Sequence, residues 1–480
     1  MVTSDVGFRS ERGPILISLM VTTGLVAIDA TVLATAVPTI TKDLGDFALF
    51  PWLFSVYLLA QAVTVPIYAK LSDTFGRKPI ILVGIGLFLL GSILCGFAWS
   101  MPALIAFRAV QGLGAGAVQP MSITIVGDIY SIAERARVQG YIASVWAISS
   151  VIGPTLGGLF SQFGIWRAVF FVNIPLCLVA GWMLIRAFHE KVEKRPHRID
   201  YLGSVLLTVS LTLLILAVLE GGQAWAWNSW QSIGAFTIGG LVLIAFALVE
   251  RRVAEPVLPP WVFSRRLLLT TTLVGLGVGA VLIGLTSYVP TYLEGALGVS
   301  PLLAGLALAA LTLGWPITAS IAGRFYLRIG FKRTTLIGVA IVLVGASVLA
   351  VTASTPSVIV VALSCFVIGG GMGLSAVPSL IAAQSSVEWN ERGVVTGTNL
   401  FARSIGSAVG VAIFGAIANS IFGKGDAASL SPEVIIAGSS AVFIAVLVVV
   451  GGIILAAFSM PPTPVLAQQH PTVEPGAAAA

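Results

Sequence analysis

The chain has 480 residues, of which 57% are hydrophobic and only 10% are charged, whereas soluble domains carry about 25% charged residues. This balance excludes a soluble enzyme, a disulfide-built secreted domain, a nucleic-acid binder and a disordered chain. The net charge of +6 comes from lysines and arginines scattered singly or in pairs, not from the dense basic patch of a nucleic-acid site. What remains is a protein that crosses a membrane many times.

Apolar stretches bounded by charges predict fourteen membrane-spanning helices, because each span needs about 20 apolar residues. Continuous runs of this length favour helices over the short alternating strands of a membrane barrel. The predicted spans cover residues 14–38, 50–69, 79–99, 102–124, 138–162, 167–188, 201–220, 231–250, 267–291, 301–323, 334–353, 356–380, 395–421 and 434–458.

The positions of lysine and arginine predict the orientation of these spans. Twenty-one of the 26 fall on the side that holds both termini, whereas Lys42, Arg167 and Lys424 fall on the opposite side. Cytoplasmic loops carry the excess of positive charge, so we expect both termini in the cytoplasm.

A weak internal repeat divides the chain into two halves, as in transporters built from two six-helix units. Ala69–Lys78 matches Gly323–Lys332 in its pattern of small, basic and glycine residues, and Glu134-Arg135 recurs as Glu391-Arg392. The sequence therefore predicts a cytoplasmic N-terminal tail (1–13), an N-terminal six-helix bundle (14–188), a charged linker with two extra spans (189–266), a C-terminal six-helix bundle (267–458) and a disordered cytoplasmic tail (459–480).

The turn between the second and third spans carries the most specific motif, Ala69-Lys70-Leu71-Ser72-Asp73-Thr74-Phe75-Gly76-Arg77-Lys78. Gly76 permits the positive φ of a tight turn, and Arg77 and Lys78 lie at the inner interface. The Asp73 carboxylate can accept charge-assisted hydrogen bonds from a helix N-terminus or from an arginine. We therefore expect Asp73, Gly76, Arg77 and Lys78 to act in conformational gating. A plain basic loop is the alternative.

The fifth span contains Gly153-Pro154-Thr155-Leu156-Gly157-Gly158. The proline removes a backbone hydrogen bond, and the glycines let another helix approach closely. We expect Gly153, Pro154, Gly157 and Gly158 to form a hinge or seal between the two halves.

Asp29 on the first span and Arg108 on the fourth are charged residues at membrane depth, where such residues are functional by default. Asp29 lies about 14 Å along a helix from Pro38, and Arg108 about 9 Å from its own outer span edge. The two are thus expected at comparable depth. Burial favours a protonated aspartate and a nearby arginine a charged one, so the balance can change between conformations. The alternatives are a static ion pair and an Arg108 that reaches the outer interface.

Further polar and aromatic side chains within the spans are candidates for lining a central cavity: Tyr57, Gln61, Trp146, Tyr288, Trp315 and Arg403. Aromatic residues near span ends also act as interface anchors, and Arg403 can instead pair with a lipid phosphate. The three cysteines match no metal or disulfide spacing, so the sequence predicts no metal site.

These motifs, in this order, resemble the signatures of the major facilitator superfamily, and the Gly-Pro-x-x-Gly-Gly element resembles that of its antiporters. Three elements are similar to those of its fourteen-span drug/proton antiporters: Asp29-Ala30-Thr31-Val32, the segment Trp166-Arg167-Ala168 with Phe170 and Asn173-Ile174-Pro175, and Pro256-Val257-Leu258-Pro259. The chain departs from the pattern at Ala69, where the family usually has glycine, and at Leu327, which takes the place of Asp73 in the second half.

The resemblance implies an all-α integral membrane protein with the major facilitator fold, two six-helix bundles and two extra central spans. It implies a proton-coupled antiporter, not an enzyme, that exports hydrophobic, cationic or amphipathic drugs by alternating access across the bacterial cytoplasmic membrane and so confers antibiotic resistance. The proton gradient stands in place of a cofactor, and the expected partners are the substrate, protons and lipids, with no nucleic acid and a monomeric chain. Asp29 becomes the proton-linked residue, and the Asp73 turn stabilises the outward-open state.

Three other functions fit the same sequence. An exporter of lipids or lipid-linked metabolites is favoured by the scarcity of carboxylates within the spans, because a cationic drug prefers several. A proton-coupled importer fits less well with Gly153-Pro154, which resembles an exporter element. A non-transporting membrane sensor would normally carry an appended soluble domain, for which the inner linkers are too short.

Overall fold

The computed structural model describes residues 6–45, 49, 52–190, 200–221, 225–253, 256–422 and 431–462. Within these residues fourteen helices are long, two (α6 and α10) are short, and no β-sheet forms. In chain order they are α1 (Gly13–Leu44), α2 (Trp52–Phe75), α3 (Arg77–Gly96), α4 (Met101–Ile129), α5 (Ile132–Gln162), α6 (Ala168–Phe171), α7 (Asn173–Ala187), α8 (Tyr201–Glu220), α9 (Trp230–Glu250), α10 (Pro260–Ser264), α11 (Arg266–Leu297), α12 (Pro301–Ile329), α13 (Phe331–Val351), α14 (Val358–Ser385), α15 (Arg392–Phe422) and α16 (Pro432–Ser459).

Thirteen helical segments of the described chain are long and apolar enough to cross a membrane. The remaining long helix, α5, is more polar, since it opens with Glu134, Arg135 and Arg137. It packs against α1 and α12 among the other helices. The predicted all-helical membrane fold is therefore confirmed, with fourteen long helices in the described residues.

The first seven helices pack on one another through small residues. α1 lies against α5 and α7, α3 against α4 and α7, and α2 against α4. A side chain on Gly91 would overlap the Gln111 backbone, and one on Gly114 would overlap Phe88. Helices in lipid gain no hydrophobic driving force from meeting each other, so such close van der Waals packing holds them together.

The last six long helices form a second packed group. α11 lies against α15 and α16, while α12 and α13 both lie against α14. Their shared interior is a continuous apolar cluster that includes Val278, Leu285, Phe414 and Phe443. The two additional helices, α8 and α9, pack on each other, and α8 also contacts α2 and α15. The predicted domain boundaries stay predictions.

Two corresponding turns reflect the internal repeat. Gly76 separates α2 from α3 with φ 96°, and Gly330 separates α12 from α13 with φ 86°. The turn is tight, as predicted, but the predicted span ends at residues 69 and 79 were wrong, because α2 continues to Phe75 and α3 begins at Arg77. The side chain of Pro154, residues 1–5 of the predicted N-terminal tail, 191–199 of the predicted linker and 463–480 of the predicted disordered tail lie outside the described residues.

Candidate functional site

A buried ion pair joins α1 to α4 in the first group of helices. Arg108 Nη1 lies 2.7 Å from Asp29 Oδ2, and both side chains are at most 2% exposed. The depths estimated for these two residues from the sequence are therefore compatible with the contact in the structure. Because Arg108 points into the protein, it does not reach the outer interface.

Two amide side chains complete the bonding of the Asp29 carboxylate. Gln111 Nε2 donates to Asp29 Oδ1 over 2.8 Å, and Asn173 Nδ2 donates to the same oxygen over 3.1 Å. Both amides also donate to Ser92 Oγ on α3, at 2.9 Å and 3.3 Å. Four helices (α1, α3, α4 and α7) thus meet at one carboxylate, and all of these side chains are buried.

The Arg108 guanidinium makes three contacts besides its ion pair with Asp29. Its Nε donates to the Leu53 carbonyl oxygen over 3.1 Å, its Nη1 donates to Gln111 Oε1 over 2.6 Å, and its carbon lies 4.2 Å from the centroid of the Tyr57 ring. Tyr57 is only 3% exposed, and its hydroxyl has no described hydrogen-bond partner. Tyr57 was expected to line a central cavity, but the structure makes it a wall of the Asp29 network.

This arrangement gives Asp29 a defined chemistry. A buried charge must be paired and hydrogen-bonded to persist, and Asp29 receives bonds from one guanidinium and two amides. Protonation of the carboxylate removes the charge that balances Arg108 and leaves that arginine without its counter-ion. A change at one atom therefore alters the contacts of four helices.

A second polar cluster lies at the end of the molecule where α2, α4 and α15 meet. Asp73 Oδ1 accepts a hydrogen bond from the Gly393 backbone nitrogen at 3.0 Å, and Asp73 Oδ2 accepts one from Val394 at 2.7 Å. These are the free N–H groups of the first turn of α15, where a negative charge is favoured by the helix dipole. Asp73 thus binds α2 directly to the second group of helices.

Arg77 connects the same elements. Its guanidinium lies 2.8 Å from Asp73 Oδ1 and 3.0 Å from Asp128 Oδ2. It also donates to the Trp389 carbonyl oxygen over 2.6 Å and lies 3.9 Å from the centroid of the Trp389 ring. Asp128 Oδ1 in turn accepts from Arg392 at 3.1 Å. The cluster is a closed network across the two groups of helices.

The remaining motif residues at this turn have separate partners. The backbone nitrogens of Arg77 and Lys78 both donate to the Glu190 carboxylate at 3.0 Å, and Lys78 Nζ donates to the Ile185 carbonyl oxygen at 2.9 Å. Gly76 supplies the positive φ that the sequence analysis expected. The turn is therefore fixed to α7 on one side and to α15 on the other.

The glycine-rich segment of α5 packs closely at one position. A side chain on Gly153 would overlap Thr31 of α1, whose hydroxyl donates to the Ser149 carbonyl oxygen at 3.0 Å. Gly157 is also buried, whereas a Cβ on Gly158 would meet nothing within 4 Å. The expected close approach is present at Gly153, where it joins α5 to α1 within the first group of helices and not the two halves, and it is absent at Gly158.

The other cavity candidates are not gathered into one site. Gln61 Nε2 donates to Gln119 Oε1 over 3.2 Å, and Tyr288 and Trp315 pack against the apolar cluster of the last helices. Trp146 is 36% exposed. Arg403 is half-buried, and its guanidinium forms no hydrogen bond or ion pair with the described residues.

Several site residues carried no strong signal in the sequence. Ser92 is a single polar residue in an apolar helix and belongs to no motif, whereas Asn173 belongs to the family-like segment at the start of the sixth span, which does not indicate the face that Asn173 occupies. Asp128 and Trp389 belong to the second polar cluster only because α4 and the turn before α15 meet there. An isolated polar residue inside an apolar run is the sequence feature that could have indicated Ser92 and Asn173.

Comparison with known proteins places the chain in a family. The sequence profile of the Major Facilitator Superfamily matches residues 19–411. Multidrug resistance protein 3 of Bacillus subtilis (strain 168) is 37% identical over 398 residues, which are 82% of this chain and 77% of that protein. The multidrug transporter protein MdtP of the same bacterium is 33% identical over 425 residues, which are 88% of this chain and 78% of that one.

A solved structure is similar in fold. The crystal structure of the human organic anion transporter MFSD10 (TETRAN) superposes with a TM-score of 0.66 at 17% identity, covering 94% of this chain and 99% of that chain. The chain belongs to the major facilitator superfamily, a family of transporters rather than enzymes.

Proposed function

We propose that this protein is a proton-coupled exporter of hydrophobic, amphipathic drugs that works by alternating access. The observation that carries the proposal is the buried Asp29 carboxylate, which is bonded to Arg108 at 2.7 Å and to two amides from different helices. The names of the two bacterial relatives, a multidrug resistance protein and a multidrug transporter, support export of drugs.

The second polar cluster, formed by Asp73, Arg77, Asp128 and Trp389 and called the inner cluster from here on, supports an outward-open state for this conformation. The contacts of Asp73 with α15, and of Arg77 with Trp389, bring the two groups of helices together at the end that carries most of the basic residues. In the proposed cycle a proton reaches Asp29 from outside and releases Arg108. The α1–α4–α7 contacts then rearrange, and the inner cluster opens towards the cytoplasm.

The geometry narrows the expected substrate. The family resemblance implies hydrophobic, cationic or amphipathic drugs, but Asp29 is 1% exposed and both of its carboxylate oxygens are hydrogen-bonded. In this conformation it offers no free carboxylate to a cation, so we propose that hydrophobic and amphipathic character, not positive charge, governs binding. The proposed setting is the bacterial cytoplasmic membrane, with a monomeric chain and both termini in the cytoplasm.

Transport into proteoliposomes tests the role of Asp29. Asp29→Asn keeps the size of the side chain but removes the titratable proton. With Hoechst 33342 as probe and an imposed pH gradient, we expect at least a tenfold loss of gradient-driven transport, while downhill dye movement without a gradient is retained. Asp43→Asn is the matched control, because Asp43 lies on the same helix but is 48% exposed.

Each outcome has a distinct meaning. If Asp29→Asn transports dye at the wild-type rate under the gradient, Asp29 does not carry the coupling proton. If it loses both driven and downhill transport and also unfolds at a lower temperature, the Asp29–Arg108 pair is a static structural contact. Proton release from purified protein on addition of dye gives an independent reading, which Asp29→Asn is expected to abolish.

Export of lipids or lipid-linked metabolites is the second candidate function. The burial of Asp29 favours it too, because a headgroup without positive charge has no need of an open carboxylate. Failure of every dye in the transport assay, together with movement of a fluorescent lipid between leaflets, would favour this alternative.

A further inference from the structure

A sizeable cavity lies away from the Asp29 network. It measures about 690 Å³ and opens between the additional helices α8 and α9, the short α10 and the middle of α15. Its size falls within the range of about 300–1,000 Å³ that small-molecule sites occupy. Its walls are almost wholly apolar, with Leu211, Phe246, Phe263, Phe401 and Ile405 among the lining residues.

The cavity exists because of how the two additional helices pack. α8 makes extensive contact with α2 and α15, whereas α9 packs chiefly on α8. A gap is left between α9 and α15. In a membrane a gap of this size lined by leucine and phenylalanine is filled by hydrocarbon, since empty space forfeits the dispersion contacts of its walls.

The cavity is long enough to hold an acyl chain that spans one leaflet of the bilayer. Its lining on α9 runs from Phe236 to Arg251, about 22 Å along a helix. Half of the hydrocarbon core is about 15 Å thick. One end lies at Arg251 and α10, which is the same end as the inner cluster, because Arg265 after α10 is 3.6 Å from Glu391. An acyl chain of the inner leaflet therefore fits along the cavity.

The charges at the inner end favour an anionic headgroup. Arg251 lines the cavity, is exposed and has no described partner. Glu250 also lines the cavity, and both of its carboxylate oxygens accept backbone N–H groups, from Val257 at 3.1 Å and from Leu258 at 3.3 Å. A basic residue next to an anionic lipid surface contributes favourably to binding.

We propose that this cavity binds one acyl chain of an anionic phospholipid from the inner leaflet, with the headgroup at Arg251. The lipid is a bound component that fills the space between the additional helices and α15. It is not the transported molecule, because the cavity is separate from the Asp29 network and from the inner cluster. The proposal gives the two additional helices a binding role that is independent of the transport cycle.

Native mass spectrometry of the full chain tests this. The delipidated protein is mixed with phosphatidylglycerol or phosphatidylcholine carrying the same acyl chains. We expect one molecule of phosphatidylglycerol to be retained in preference to phosphatidylcholine. Arg251→Gln should weaken that binding about fivefold, whereas Arg252→Gln, one residue further along, should leave it unchanged. Equal retention of the two lipids, or equal effects of the two arginine variants, would overturn the proposal.

Filling the cavity provides a second measurement. Ala247→Trp introduces a large ring at a lining position, and we expect it to remove the retained lipid. Leu455→Trp is the matched control, since Leu455 is 70% exposed on α16. A phospholipid with a diazirine on its acyl chain should label α9 and α15 in the wild type only. If a photoreactive hydrophobic drug labels these residues and the lipid does not, the occupant is the transported compound and the proposal fails.

Discussion

Asp73 on α2 accepts a 2.7 Å hydrogen bond from the backbone nitrogen of Val394, the third residue of α15. The contact joins residues 321 positions apart in the chain. A carboxylate at this place meets N–H groups that have no partner within their own helix. One side chain therefore both completes the start of α15 and joins α2 to α15 at the proposed inner end of the protein.

Replacement of Asp73 by asparagine should loosen this contact. A hydrogen bond to a charged group contributes about 1.5–3 kcal/mol, and asparagine keeps one acceptor oxygen but no charge. We expect the Gly393 and Val394 amides to exchange hydrogen for deuterium about tenfold faster or more in Asp73→Asn, because the inner end opens more often. Hydrogen-exchange mass spectrometry of peptides covering residues 389–396 measures this.

The control for Asp73→Asn lies at the start of another helix. Ser131 forms a capping box with Glu134 at the beginning of α5, so Ser131→Ala should accelerate exchange there and leave the α15 peptide unchanged. Equal exchange of the α15 peptide in the two variants would show that Asp73 does not hold this end closed.

The corresponding position in the second half is built differently. Leu327 takes the place of Asp73 and is 38% exposed, while the preceding Tyr326 donates from its hydroxyl to the Ile132 carbonyl oxygen at 2.6 Å. A neutral hydrogen bond contributes about 1 kcal/mol. Tyr326→Phe should therefore accelerate exchange at the start of α5 about fivefold and leave the α15 peptide as in wild type. A change at α15 equal to that of Asp73→Asn would contradict the asymmetry between the two ends.

Much of the fold follows from sequence because hydropathy and length are local properties. The apolar runs predicted every long helix, including α5, and Gly76 predicted the turn between α2 and α3. Helix ends were less predictable. α1 runs to Leu44 and α2 to Phe75, because a helix can continue beyond its apolar run where its polar residues find partners. The last turn of α2, for example, bonds to α15 through Asp73.

The candidate site was predictable only in part. Depth along a helix placed Asp29 and Arg108 at similar levels, but it did not indicate that Asn173 and Ser92 face the same carboxylate. The direction of a polar side chain in an all-apolar helix depends on packing between helices that are distant in the chain. Gly158 belongs to an intact motif, yet a Cβ at this position would meet nothing within 4 Å. A motif therefore does not by itself predict close packing at each of its residues.

The glycine motif of α5 allows a comparison within one helix. A methyl group on Gly153 would overlap Thr31, whereas one on Gly158 would enter open space. Overpacking costs about 1–3 kcal/mol, so Gly153→Ala should lower the thermal unfolding temperature in detergent by several degrees and reduce transport. Gly158→Ala should change neither. If both variants are as stable as the wild type, α1 and α5 are not held at this distance by Gly153.

The Arg108 guanidinium can be compared with a second arginine in a similar pair. Arg108 and Arg167 each bind an aspartate and lie over an aromatic ring, but Arg108 is 2% exposed and Arg167 is 41% exposed. Lysine keeps the charge but cannot reproduce the fork that bonds Asp29, Gln111 and the Leu53 carbonyl oxygen at once. Arg108→Lys leaves buried acceptors unpaired, at a cost of about 1–3 kcal/mol each. Exposed ion pairs contribute about 0–1 kcal/mol, so Arg167→Lys should have almost no effect on transport.

We expect gradient-driven dye transport to fall at least tenfold in Arg108→Lys and less than twofold in Arg167→Lys. Equal rates in the two variants would mean that charge alone, and not the bonding geometry around Asp29, is what the transport cycle requires.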